Sequence, residues 1–583
     1  MSASNKKKLR KEQNAAALTE KQKRERQEAK KLKAYTLTFA IVMILVVAVV
    51  VGVVVTPLID GVIRQNSTTV TIGDHKLSAA DLTYFYMDAI SEHQQTVYEQ
   101  YYNSFGNYWS IMLGFDTTKP LNEQKYDDSG KTWADHFIDT AIEDAKGVYA
   151  LYDDANANGY TLTADEQKNL DSYAETLELY ATYYGYSSIQ SYLRNSYGNG
   201  ASEKSYLEYY KVCTIASSYL NKHADDLDYK LEDYRAYEKD KFDDYSVVSY
   251  VHYTMKYNSY LGEGTKSEDG KTTTWTDEEK EAARAAMKAD MEALLAAGVK
   301  DKASFDLAIH SWDINKLEKD ETTDKEDSSS SSSSSTKKLP TSTEVKRAYF
   351  DNITLHAGAL EWLKESDRKA GDLKAFEVYT YAEHDDPDHE HGDDCGCSRT
   401  VDGYTIVLFT ERDDQTTKMV NVRHILVKFT GGTKDEDGNT TYSDEEKAKA
   451  KAEAEKLLKQ WQDGKANEES FGDLANAESD DQNGKVTNGG LYEDVFVGQM
   501  VEAFEDWCFD ETRKAGDTGI VETEYGYHVM YFSSTDEMSY RDLLIDADMR
   551  AEATEEWHDA LVEKTPYTLH SLKMMDYDFV VEH

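Results

Sequence analysis

Two groups of side chains stand at spacings that suggest chemistry. The stretch HDDPDHEHGDDCGC places His384, His389, His391, Cys395 and Cys397 within fourteen residues. Imidazoles and soft thiolates at such short intervals suit zinc or copper. No Glu is spaced as the water-activating base of a hydrolase motif, so the expectation is a bound metal without catalysis. The competing reading is a solvated acidic hairpin whose vicinal thiols oxidise. The second group is Asp154, Asn156, Asn158, Gly159 and Asp165, which nearly match a calcium-binding EF-hand loop but lack its bidentate Glu at the twelfth position. A plainer account ends one helix at Gly159 and opens the next with Thr163 and Glu166 as a capping box.

The elements that must carry these residues follow from length, charge and hydropathy. At roughly 100 to 200 residues per domain, a chain of 583 residues suggests three or four domains. The net charge of -45 sets nucleic acid aside as a partner. Basic residues crowd residues 1–34, which read as a cytoplasmic tail, and nearly all the acidity lies beyond residue 60. Between them Tyr35 to Ile59 runs without a charge and is long enough to cross about 30 Å of hydrocarbon as a helix. The basic flank keeps the N-terminus in the cytoplasm and places residues 60–583 outside, through a single-pass anchor. Four cysteines in so long an exterior do not make a disulfide scaffold.

From residue 60 to 245 the pattern is mainly helical, after a short strand and turn and a helix capped at Ser78 or Asp81. At Val247 the texture changes to VVSYVHYTMKY, an alternating strand. A run of eight serines lies between Asp327 and Lys338 and can bury nothing. An internal repeat then emerges. VSYVHYTMK at Val248 parallels VNVRHILVK at Val420, and ALEWLKESDRKAGD from Ala359 parallels FEDWCFDETRKAGD from Phe504. DGYTIVLF from Asp402 parallels YGYHVMYF from Tyr525. Residues 246–412 and 413–535 are thus two tandem units.

The second unit strings together VRHILVKF, FGDLANAESDD, GGLYEDVFVGQMVEAFEDWCF and KAGDTGIVETEYGYHVMYF. In order and spacing, Val420 to Ser533 resembles the parvulin peptidyl-prolyl isomerase domain of the surface and periplasmic foldases of the PrsA and SurA class. The resemblance implies a multidomain α+β chain: the anchor, a helical chaperone-like domain, a degenerate parvulin-like domain and a parvulin domain whose sheet has four antiparallel strands. Residues 536–583 are expected to return as helix and pack on the chaperone domain. The paired histidines of the family fall on His424 and His528, its Cys-or-Asp position on Asp481, its hydroxyl on Thr523, and its proline pocket on Met500 and Phe504. The usual Gly-Gly-Asp-Leu-Gly turn reads Gly489, Gly490, Leu491, Tyr492, Glu493 here, so either Leu491 or Tyr492 fills the pocket's leucine position. In the first unit His252 aligns with His424, but Thr405 stands where His528 does, which implies an inert copy.

What the resemblance implies for function is cis/trans isomerisation of X-Pro bonds in unfolded exported proteins, at a Gram-positive cell surface and with no required cofactor. A holdase or assembly scaffold that only binds peptides is the alternative.

Overall fold

The computed structural model describes residues 43, 56–267, 273–310, 341–381, 399–434, 438, 440–481, 486–572 and 575. The apolar run expected to span the membrane lies outside them, except Met43 and the start of the helix Thr56–Asn66. Among the described residues no helix is long and apolar enough to cross a membrane. His384, His389, His391, Cys395 and Cys397 likewise lie outside the described residues.

The chain divides into two compact units, one of Met1–Asp228 with Arg550–His583 and one of Tyr229–Met549. In the first, β1 (Thr68–Ile72) pairs with β2 (His75–Ser78) and with the strand Tyr567–Leu569. Ser78 and Asp81 then form a capping box that starts the helix Ala79–Phe105. Phe85 and Ile90 on this helix pack against Phe137, Ile138 and Ala141 of the helix Trp133–Ala157, and Val70, Ile72 and Met575 close the same core. The calcium-like segment is ordinary helix punctuation. Asp154 and Asn156 lie within Trp133–Ala157, Gly159 takes φ +70°, and Thr163 with Glu166 caps Ala164–Tyr183.

The second unit holds two four-stranded antiparallel sheets. The first comprises β3 (Val247–Lys256), β6 (Thr343–Tyr349), β7 (Leu373–Tyr381) and β8 (Arg399–Asp413), in the order β6-β3-β8-β7. Between β3 and β6 come the small hairpin of β4 (Thr265–Lys266) and β5 (Thr273–Thr274) and the helix Asp277–Ala296. The second comprises β9 (Lys418–Lys428), β12 (Leu491–Val495), β13 (Thr518–Glu522) and β14 (Gly526–Ser539), in the order β12-β9-β14-β13. Its hairpin is β10 (Thr433–Lys434) with β11 (Thr440–Thr441), followed by the helices Asp444–Gln462 and Glu468–Glu478.

The repeat seen in the sequence is a repeat of register. His528 faces Leu426 and Met530 faces His424 in one sheet, as Thr405 faces Thr254 and Val407 faces His252 in the other. Matching helices open with matching capping boxes, Thr276 with Glu279 and Ser443 with Glu446, each worth about 1 kcal/mol. The first repeat also has its own edge strand and short helix after the serine run. There β6 and Ala357–Lys364 occupy the places of β12 and Glu502–Cys508.

Strand alternation gives each sheet two apolar faces. On one face of the second sheet, Ile425, Val427, Val529 and Tyr531 pack against Ala454, Leu457, Trp461 and Phe471 of the two long helices. On the other, Val420, Val422, Met530 and Phe532 pack against Phe504 and Cys508 of the helix Glu502–Cys508. The last segment of the chain is shared between units. Residues from Arg550 on belong to the first, while Ile545 packs with Tyr234 and Tyr245 in the second. The buried Arg541 donates to Glu238 at 2.6 Å there.

Candidate active site

His424 on β9 and His528 on β14 belong to the same sheet face as Val422 and Met530. Because His424 pairs with Met530 and His528 with Leu426, the two histidines are diagonal neighbours, close enough for long side chains to meet. Both are buried, and their Nδ1 atoms lie 3.1 Å apart. His528 Nε2 is 2.9 Å from Thr523 Oγ1. Thr523 in turn accepts the Tyr525 N–H at 3.2 Å. His424 Nε2 lies 3.3 Å from Asp481 Oδ2, without the alignment of a hydrogen bond.

Asp481 is placed by the end of β9. Ser479 Oγ accepts the N–H of Leu426 and of Asp481, and Asp480 N–H donates to Leu426 O at 2.8 Å. The segment Ser479–Asp481 therefore covers the edge of β9 beyond the point where β12 stops. On the other side, Gly490 O accepts the His424 N–H at 2.9 Å. Gly490 takes φ +65°, and a Cβ there would fall 2.2 Å from His424 O, so glycine is required twice over.

The rings of Phe504 stand edge-on to both histidines, 5.5 Å from His424 and 5.3 Å from His528. Met500 packs against the same cluster. The open choice at the Gly-Gly turn falls to Tyr492. Its ring lies 4.7 Å from His424 and 6.2 Å from Phe504, and its hydroxyl donates to Asp481 at 2.9 Å. Leu491 pairs with Arg423 and is absent from this cluster, because neighbouring strand positions point to opposite faces. Assigning Leu491 to the pocket is thus corrected to Tyr492. Beside Thr523 opens a cavity of about 380 Å³ lined by Val501, Glu502, Ala503, Asp506 and Glu524.

Electrostatics fix the protonation pattern. Burial, with His424 as a second factor, holds His528 far below the ordinary imidazole range, at about 3, although Asp481 opposes the shift. His528 is therefore neutral and carries one ring proton. Tyr525 N–H already donates to Thr523 Oγ1, so the threonine proton is free to point at His528 Nε2. With Thr523 donating to Nε2, the His528 proton sits on Nδ1 and faces His424 Nδ1. His424 Nε2, on the far side of its ring, faces the Asp481 carboxylate. Burial, then Asp481, pushes the Tyr492 phenol up to about 12, so it remains a donor. Cys508, behind Phe504, is likewise pushed up to about 12 by burial and holds its proton.

A protein-family model described as a PPIC-type PPIASE domain matches residues 404–535. This stretch is a parvulin-type domain. The match begins inside β8, earlier than the boundary expected from the repeat, and ends within β14. Two solved structures are similar over part of the chain. Peptidylprolyl isomerase PrsA from Bacillus anthracis is 22% identical, with 26% of this chain and 59% of that chain covered and a TM-score of 0.16. PrsA from Bacillus cereus is 20% identical, with 26% and 50% covered and a TM-score of 0.16. The chain thus spans about half the length of these structures. None of the curated proteins matches it in sequence.

Within the parvulin domain Tyr492→Phe isolates the hydroxyl contact with Asp481. Losing a hydrogen bond to a charged group should cost roughly 1 to 2 kcal/mol, readable as a lower urea midpoint for the second unit. The ring remains to fill the pocket, so proline-peptide affinity should hold within about twofold.

Proposed function

We propose that the chain is a membrane-anchored, extracytoplasmic foldase that accelerates cis/trans isomerisation of X-Pro bonds in exported proteins. The observation that carries this is the linked set Thr523, His528, His424 and Asp481, facing Phe504. A prolyl amide is held behind a barrier of about 18 to 20 kcal/mol by resonance and needs no nucleophile or cofactor to cross it. An apolar pocket of Met500, Phe504 and Tyr492 seats the ring and keeps water from the amide, which disfavours its charge-separated planar form. Thr523, His424 and the neutral His528 then offer polar groups that suit the twisted amide better than the planar one. The anchor reading rests on the uncharged run Tyr35 to Ile59 behind a basic flank.

A second reading, a holdase, is favoured by one surface of the first unit. Tyr102, Phe105, Tyr108 and Ile111 lie at the end of the helix Ala79–Phe105 and in the turn after it, and all are exposed. Such apolar surface suits unfolded chains. The discriminating experiment measures proline-peptide isomerisation by the full chain against His424→Ala with Asp481→Ala, at unchanged circular dichroism. The double variant should lose on the order of tenfold or more in kcat/KM. Equal rates remove the enzymatic reading, and aggregation suppression that survives in the variant supports the holdase.

A further inference from the structure

The two edge strands of the second unit share a bulge. In β12 the register breaks between Tyr492 and Val495, and Asp494 takes φ +53° with its N–H donating to Asn421. In β6 it breaks between the partners of Val248 and Tyr250, and Arg347 takes φ +50° with its N–H donating to Ser249. Arg347 and Asp494 occupy equivalent places, as do Ser249 and Asn421. Non-glycine residues adopt this conformation only at a cost, and bulges serve to re-aim side chains.

In the first repeat the re-aimed side chain reaches the parvulin domain. Arg347 pairs with Asp413 at 2.6 Å and donates to Gln415 at 3.4 Å, which fixes its guanidinium. Its Nε and Cζ lie 2.1 and 2.7 Å from where a Cβ on Gly498 would stand. Gly498 belongs to the loop between β12 and Glu502–Cys508, the loop that carries Met500. Gly498 N–H donates to Glu505 at 2.6 Å, and Phe496 stacks on Tyr540 at 3.7 Å. The loop is thus held from outside the domain, by Arg347 on one side and Tyr540 on the other, and through Glu505 it holds the helix bearing Phe504.

We infer that Arg347, on the catalytically inert repeat, is a positioning residue for the proline pocket of the second. The inference rests on the isomerase reading of that pocket and adds that the first repeat completes it. Its test uses the full chain and an Ala-Ala-Pro-Phe anilide peptide, read by isomerisation kinetics and separately by peptide affinity. Arg347→Ala should weaken affinity roughly fivefold, the size of coupling expected through packed neighbours. The pH profile should stay unmoved, because the histidines keep their partners. Gly498→Ala should weaken affinity in the same direction and more strongly, since the new Cβ displaces the guanidinium and also strains a backbone held at φ +91°. The double variant should be no worse than Gly498→Ala alone, because that substitution already removes the Arg347 contact. Lys346→Ala, an exposed neighbour, should match wild type.

If Arg347→Ala and Gly498→Ala both keep wild-type affinity, or if the wild-type chain binds no peptide, the inference is overturned. A chain that binds the peptide, weakens on Arg347→Ala and yet isomerises nothing overturns the enzymatic reading alone. A thermal melt on each variant, with affinity measured well below its midpoint, separates positioning from loss of fold.

Discussion

Phe504→Ala should lower the stability of the second unit by about 3 to 5 kcal/mol and its isomerase activity by two orders of magnitude or more, the largest loss expected of any single pocket residue. The side chain is 3% exposed and touches both histidines and Tyr492. Removing it leaves a cavity under the histidine pair and opens that pair to water. The first repeat shows what the same fold does without it. Ala359 stands at the position of Phe504, Thr405 at that of His528, and Phe376 at that of Val521, all three buried. A large ring has moved from the short helix to the edge strand, so volume is conserved while the pocket is filled in. Adding Val521→Phe to Phe504→Ala should therefore recover part of the lost stability and none of the activity. Urea unfolding and peptide isomerisation on the same samples check both halves. Recovery of both would mean that Phe504 serves packing only.

That exchange was hidden in the sequence, although the repeat itself was not. The strands were legible because β-branched and aromatic residues alternate in VSYVHYTMK and VNVRHILVK, and the KAGD turns align them. The same backbone pair follows both turns: Gly371 and Gly516 donate to Phe409 and Phe532, which donate back to Asp372 and Asp517. The first repeat's edge strand was not legible, because β6 lacks the Gly-Gly signal and follows a serine run that reads as interruption. Tyr492 could not be separated from Leu491 because a one-residue slip along a strand moves a side chain to the opposite face. Only the pairing of Leu491 with Arg423 decides it. Arg347 gave no signal at all. Its role depends on a left-handed backbone angle in a bulge and on a glycine 151 positions further along the chain, a contact that no local pattern encodes.

Acid should destabilise the second unit through His528, and the sign follows from where its proton binds. In the fold His528 titrates near 3, against an ordinary value of 6.5 that the unfolded chain retains. Above pH 6.5 neither state takes the proton and the full contribution is present. Between 6.5 and 3 the unfolded chain is protonated while the folded one is not, so stability falls with pH by about 1.4 kcal/mol per unit. Near pH 5 the loss should be about 2 kcal/mol, and it should continue to grow towards pH 3. Amide hydrogen exchange at Leu426 and Val529, either side of the pair, reads this opening directly. His528→Gln removes the titrating group while keeping a polar side chain beside Thr523. Its amides should lose about 2 kcal/mol less protection between pH 7 and pH 5 than those of the wild type. An equal loss in both would place the acid sensitivity elsewhere in the unit. It would also remove the argument that burial holds His528 neutral beside His424.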